Sequence, residues 1–365
     1  MSSTVSSLDA PLPSYLRRLA RRWVTAVLAS FREQWWFAAI VAVEVLAAAG
    51  VLAMIHAASG AALSLYLPVY VMLMPLMVFV IILGHALYIM FVVRPARPLT
   101  MFLTDMRHKF FTVERIAVAL PMLLLMPIFC SAFTVLKSSI TLFSPFVWDL
   151  RLDALDRWLH GGHAPWELLQ PLIGVPAITQ GLNFLYNLWF FILCFVWVWQ
   201  AFSLRDRQLR AQFFATLVLL WMLFGNLVAT LLASAGPCYF GRVTGLPDPY
   251  APLMDYLKHA DQVARVWSLQ VQDYLWTSHV ESAIGLGGGI SAMPSMHVAM
   301  AVLLALLFWR TNRVLGAIAA VYAVLIQVGS VHLGWHYAID GYLGALATFA
   351  IWYLVGWIAG RARQP

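Results

Sequence analysis

Charge is what this chain has little of. Only 11% of its 365 residues are Asp, Glu, Lys or Arg, against about 25% in an ordinary soluble domain. With 62% of the chain hydrophobic, too few polar groups remain to cover a water-exposed globule. Cysteine is nearly as scarce. Cys130, Cys194 and Cys238 are odd in number and scattered, and two lie inside apolar runs, so they support neither a disulfide framework nor a zinc ribbon. No basic patch is interleaved with stacking aromatics, so the net charge of +7 is no nucleic-acid footprint, and no nucleic-acid partner is expected. A cleavable leader is not expected either: the first apolar run starts only near Trp35, is too long for a signal core, and has no small-residue cleavage site.

What the chain does have is long apolar runs, with a mean hydropathy of +0.80. Its 16 Trp and 13 Tyr suit the headgroup level of a bilayer. At roughly 20 residues per span, the pattern predicts an all-α, polytopic membrane protein of about eight transmembrane helices. They are expected at Trp35–His56, Leu63–Val93, Arg115–Lys137, Ala177–Phe202, Arg210–Ala235, Ser295–Trp309, Val314–Val331 and Tyr337–Ile358. No internal repeat divides the chain. Residues 1–34 form a cytoplasmic segment with an amphipathic stretch, Ser14–Trp23, whose arginines suit anionic headgroups. Residues 35–176 read as accessory helices, and 177–360 as the catalytic core.

Alternating Lys and Arg across these spans puts seventeen on the side of the N-terminus and six on the other. By the positive-inside rule both termini are cytoplasmic. The long connections Ser138–Pro176 and Gly236–Pro294 then lie outside. The first carries Asp149, Asp153 and Asp156 beside Leu152, Leu155 and Leu159 at helical spacing. It reads as a helix on the outer interface with a solvated acidic face.

Two strings carry chemistry: Met293-Pro-Ser-Met-His-Val298 and His332-Leu-Gly-Trp-His-Tyr-Ala-Ile-Asp340. Ionisable groups at membrane depth are costly and so are candidates for function. One helix, a short basic turn and a second helix separate His297 from His336, which returns both to the same face. Asp340, four residues after His336, shares its helical face and can orient the imidazole. Pro294 suits the first turn of a helix, and Ser295 with the free N–H groups of that turn forms an anion site.

Pro294-Ser-x-His297 followed by His336-x-x-x-Asp340 resembles the second and third motifs of the type 2 phosphatidic acid phosphatase (PAP2) superfamily. His336-Tyr-x-x-Asp340 is most similar to its inositol phosphorylceramide synthase and sphingomyelin synthase branch. The resemblance implies a PAP2-like helical core in which His336 forms a phosphohistidine, Asp340 orients it, His297 protonates the leaving alkoxide and Ser295 binds phosphoryl oxygens. It implies no metal or other cofactor. Two cations of the phosphatase branch are missing: no Lys-x6-Arg-Pro string is found, and Ser330 stands where an Arg would precede the nucleophile by six residues. A site with fewer cations suits a phosphodiester, which carries one charge, better than a phosphomonoester, which carries nearly two.

Gly236-Pro-Cys-Tyr-Phe-Gly-Arg242 resembles the Pro/aromatic stretch of the synthases, which makes Arg242 a candidate phosphate clamp and Tyr239 a candidate lining residue. His332, one turn before His336, is another candidate for the lining. Gly285–Gly289 is no nucleotide loop, since neither a strand nor Lys-Ser/Thr flanks it; it lets the chain turn above the anion site. Asn183, Tyr186 and Trp189 read as helix-packing residues, Lys258 and Arg265 as solvated charges, and Glu44 and His85 as a possible pair within the spans.

The expected function is phosphoryl-headgroup transfer from a membrane phospholipid donor to a lipid hydroxyl acceptor such as ceramide or a diglyceride, at the extracytoplasmic face of the cell membrane. The competing readings are a lipid phosphate or polyprenyl pyrophosphate phosphatase, and a lipid transporter. The oligomeric state is left open.

Overall fold

The computed structural model describes residues 14–57 and 59–361, and among them every regular element is helical. Residues 1–13 of the N-terminal segment, and Arg363 of the charge comparison, lie outside the described residues. Seven helices are long and apolar enough to cross a bilayer: Trp35–Met54, Gly60–Val93, Val113–Ser138, Pro176–Ala201, Arg207–Leu231, Arg313–His332 and Ala338–Arg361. The eighth expected span, Ser295–Trp309, forms as Met296–Thr311 and has 16 residues. At about 1.5 Å per residue it covers roughly 24 Å, short of a hydrocarbon core of about 30 Å.

The missing turns of that helix have a local cause. The chain before it stays irregular and is tied to neighbouring segments: the Ala292 N–H donates to the Ser234 carbonyl, the Met293 N–H to the Ser234 hydroxyl, and the Ser295 N–H to the Asp340 carbonyl. Irregular backbone at membrane depth is tolerated where protein buries it or a cavity adjoins it.

Helix starts follow elementary capping chemistry. Thr112, Asp206 and Asn312 each accept a first-turn N–H with a side-chain oxygen, and Pro176 opens its helix at a position where no N–H is needed. Because the spans alternate in direction, the ends at Ser138, Pro176, Leu231, Met296, His332 and Ala338 meet at one end of the bundle. The core there and below is aromatic and aliphatic. Phe37, Phe129, Phe213, Phe214 and Leu303 are fully buried in one cluster, and Tyr186, Leu253, Ile326 and Tyr337 belong to a second cluster under the site end. Val71, Met72 and Phe79 of the Leu67–Tyr88 helix, and Ile318, Val321 and Val324 of the Arg313–His332 helix, are exposed. In a membrane such faces meet lipid chains.

Three sequence expectations need correction. Glu44 and His85 do not pair: Asn226 donates to Glu44 at 2.5 Å, and His85 lies 2.9 Å from Asp105. The outer helix does form, as Asp149–Leu159, but its acids are turned inward. Asp149 and Asp156 are each 1% exposed, while Leu155, Trp158 and Leu159 are exposed. Last, His336 does not share a helix with Asp340. It precedes the Ala338–Arg361 helix, which brings Asp340 to it from the first turn.

Candidate active site

The turn that carries His336 is built by backbone chemistry. After the Arg313–His332 helix ends, Gly334 takes a positive φ of 74°, and the N–H groups of Trp335 and His336 both donate to the Ser330 carbonyl. Ser330, which stands where an arginine was looked for, is fully buried and serves as the anchor of this turn. The Asp340 carboxylate lies 3.3 Å from His336 Nδ1 and accepts the Tyr337 N–H at 3.0 Å. An ionised carboxylate only accepts, so this contact keeps the proton on Nδ1 and leaves Nε2 with its lone pair.

His297 comes from the first turn of the Met296–Thr311 helix. Its ring centroid is 6.2 Å from that of His336, so the two histidines flank a space where one phosphoryl group can touch both. Tyr186 stacks on His297 at 4.4 Å, and Trp189 meets it edge-on at 4.6 Å. These contacts hold the imidazole in place.

Both rings line a cavity of about 270 Å³, with Lys137, Tyr186, Tyr239, Trp335 and the Gly287–Gly289 turn also in its wall. Lys137 is the one lysine or arginine on that wall among the described residues. The Trp335 Nε1 and the Tyr186 hydroxyl, in residues on that wall, are buried without a partner in the protein. Gly289, with φ 85°, passes so close to Lys137 that a Cβ there would lie 2.7 Å from the Lys137 carbonyl carbon. Any other residue would push the turn off the cavity.

A second layer holds the turn in place. Asp149 accepts the Ala235 and Gly236 N–H groups at 2.9 and 2.8 Å and the Tyr337 hydroxyl at 2.9 Å. Asp156 accepts the Ala338 and Ile339 N–H groups at 2.8 and 3.2 Å. Burial raises the pKa of both carboxyls, and these donors oppose the rise. Gly236 must be glycine here: its φ is 99°, and a Cβ would lie 2.6 Å from the Trp335 carbonyl oxygen. Gln272 adds a donor to the Leu333 carbonyl at 2.9 Å.

The remaining candidates sit as follows. Ser295 is fully buried, and its hydroxyl caps the Val298 N–H. Met296 and His297, next in that turn, keep N–H groups without an intrahelical acceptor. Tyr239 is on the cavity wall, and its hydroxyl donates to the Gln272 carbonyl. Arg242 is not brought to the cavity; its guanidinium lies 5.0 Å over the Trp276 ring and it is exposed. His332 is also turned away, with Nε2 2.8 Å from the Thr179 hydroxyl.

Sequence reasoning passed over Lys137, Tyr186 and Trp335 as site residues. For Lys137 a signal existed: Lys137-x6-Ser144-Pro145 is the phosphatase string with serine in place of arginine. Among the described residues no three His, Cys, Asp or Glu side chains converge as metal ligands.

A family model described as the PAP2 superfamily matches residues 150–354. That is more than half of the chain, and the protein belongs to this superfamily, whose members are phosphatases or phosphotransferases. No curated protein and no solved structure matches.

Proposed function

We propose that this PAP2-superfamily membrane protein is a phosphotransferase that moves a phospho-headgroup from a glycerophospholipid to a lipid hydroxyl through a phosphohistidine at His336. The observation that carries the reading is the pairing of the two imidazoles at 6.2 Å with a carboxylate behind only one of them. That asymmetry separates their roles. His336, held by Asp340, offers Nε2 to phosphorus, and the P–O bond to diacylglycerol breaks as the N–P bond forms. His297 gives its proton to the leaving alkoxide. In the second half, His297 takes the proton of the acceptor hydroxyl, whose oxygen attacks phosphorus and releases His336.

The wall chemistry supports a diester donor. One lysine and the start of a helix suit a single negative charge. Lys137 lies outside the family match, and in this reading it supplies the phosphate contact first assigned to Arg242. Ser295 contributes as the cap that aims the helix start. The charge asymmetry of the sequence supports an extracytoplasmic site with both termini cytoplasmic.

Purified protein given labelled phosphatidylinositol and ceramide, beside phosphatidic acid, tests the proposal. Transfer to ceramide without release of inorganic phosphate is expected. A denatured intermediate should carry acid-labile label on His336, and His336→Ala, His297→Ala and Asp340→Ala should each lose turnover. Full turnover in all three variants refutes the mechanism; release of inorganic phosphate from phosphatidic acid alone moves the reading to a lipid phosphatase.

A further inference from the structure

An apolar groove adjoins the catalytic cavity, and the two share Tyr66, Phe190 and Trp221 as a common wall. It runs down between the Leu67–Tyr88, Val113–Ser138 and Pro176–Ala201 helices. From Tyr66 to Met77, both on its wall, it descends roughly 16 Å at about 1.5 Å per residue. That is about the depth of one leaflet, half of a hydrocarbon core of about 30 Å. The groove therefore starts at the catalytic cavity and runs on into the helix bundle.

Resting on the phosphotransferase reading, we infer that this groove seats one hydrocarbon chain of the lipid substrate and so sets chain selectivity. Geometry alone gives the direction: a lipid whose phosphorus lies between His297 and His336 has its chains below, where the shared wall opens. Chemistry agrees, because Leu73, Cys194 and Met77 present apolar atoms to a chain. Tyr70 and Trp197, whose rings lie 5.5 Å apart, close the wall with aromatic surface.

The inference also gives the accessory helices work. The Leu67–Tyr88 helix and all of Val113–Ser138 lie outside the family match at 150–354, yet they form one side of the groove. The catalytic core supplies the histidines, and the accessory helices supply the lipid wall.

Leu73→Trp fills the groove without touching a residue placed in the phosphoryl site. With dioleoyl phosphatidylinositol as donor it is expected to lower kcat/KM at least tenfold, mainly through KM, while dihexanoyl phosphatidylinositol in solution stays within twofold of wild type. Retained short-chain turnover also shows that the variant folds. Equal loss on both donors, or no loss on either, overturns the inference. A second readout does not depend on catalysis. A phosphatidylinositol with a mid-chain diazirine should label the Leu67–Tyr88 and Pro176–Ala201 helices in wild type, and Leu73→Trp should abolish that label. Labelling spread over all lipid-facing helices and unchanged in the variant overturns the groove assignment. Groove labelling by a wild-type protein that turns over neither donor would instead refute the phosphotransferase reading and leave the chain site standing.

Discussion

Asp149 is the residue on which the positioning of the nucleophile can be measured most directly. One of its oxygens accepts from the Gly236 N–H and the Tyr337 hydroxyl, and the other from the Ala235 N–H. Asp149→Asn keeps one acceptor oxygen and turns an NH2 toward the Ala235 N–H. Leaving that one buried donor unpaired costs about 1–3 kcal/mol. Asp149→Ala leaves three groups unpaired, a loss approaching the whole stability of a typical domain, about 5–15 kcal/mol. Tyr337→Phe removes one hydrogen bond and leaves Asp149 its two N–H donors, at a cost of about 1 kcal/mol. Because His336 is the residue before Tyr337, a shift of this turn also moves the nucleophile, and a misplacement of about 1 Å can cost 10²-fold in rate. Thermal unfolding in detergent should therefore fall by a few degrees for Asp149→Asn. Turnover should fall about 10- to 100-fold with KM nearly unchanged. The double variant with Tyr337→Phe should lose about the sum of the two single losses, since the asparagine keeps the oxygen that accepts from Tyr337 and the two changes remove different contacts. Wild-type kcat in Asp149→Asn, with or without a lowered midpoint, would refute the claim that this carboxylate positions His336.

Two further outcomes follow from the same geometry. Lys137→Ala should lower kcat/KM about 10²-fold by removing the lysine on the cavity wall, and Lys137→Arg should restore part of it; turnover unchanged in Lys137→Ala would take the phosphate contact away from this residue. Burial is the larger influence on Asp156 and raises its pKa, so the folded protein holds that proton more tightly than the unfolded chain. Its contribution to stability then shrinks as pH rises from about 4 through the raised value. The gap in unfolding midpoint between wild type and Asp156→Asn should narrow over that rise, and a gap that widens would mean the Ala338 and Ile339 N–H groups outweigh burial.

The sequence made the fold class and the two histidines that come together legible for one reason. A bilayer makes polar residues at depth expensive, so the few that remain stand out, as His297, His336 and Asp340 do. The same logic fails where polarity has two uses that look alike in one dimension. Asp149 and Asp156 occupy helical spacing that fits a solvated face equally well, and only the approach of residues 235–236 and 337–339 turns them into backbone acceptors. Tyr186 and Trp189 read as packing because aromatic residues fill apolar helices everywhere; their contact with His297 depends on a neighbouring helix that starts late. Arg242 follows a string that resembles a phosphate-site stretch, yet the turn after Tyr239 carries it over Trp276 instead. The Met296–Thr311 helix was legible to within two residues, at Ser295–Trp309, but the surroundings of its first turn were not. Hydropathy records how apolar a segment is, not whether its first turn lies at the headgroups or below them.

That late start links the fold to the chemistry. A helix of full length would place its positive end in water, where an anion gains little from it. Beginning lower, behind the Ile290–Pro294 approach and beside the Tyr186 ring, the first turn faces a cavity walled largely by protein. Its dipole and the Lys137 charge then act through a lower dielectric, and fewer formal charges suffice to hold a phosphoryl group. The missing arginines and the shortened helix are thus two sides of one arrangement. A site walled by protein needs fewer cations than one open to water, and the proposed singly charged diester with its chain in the adjoining groove fits both features.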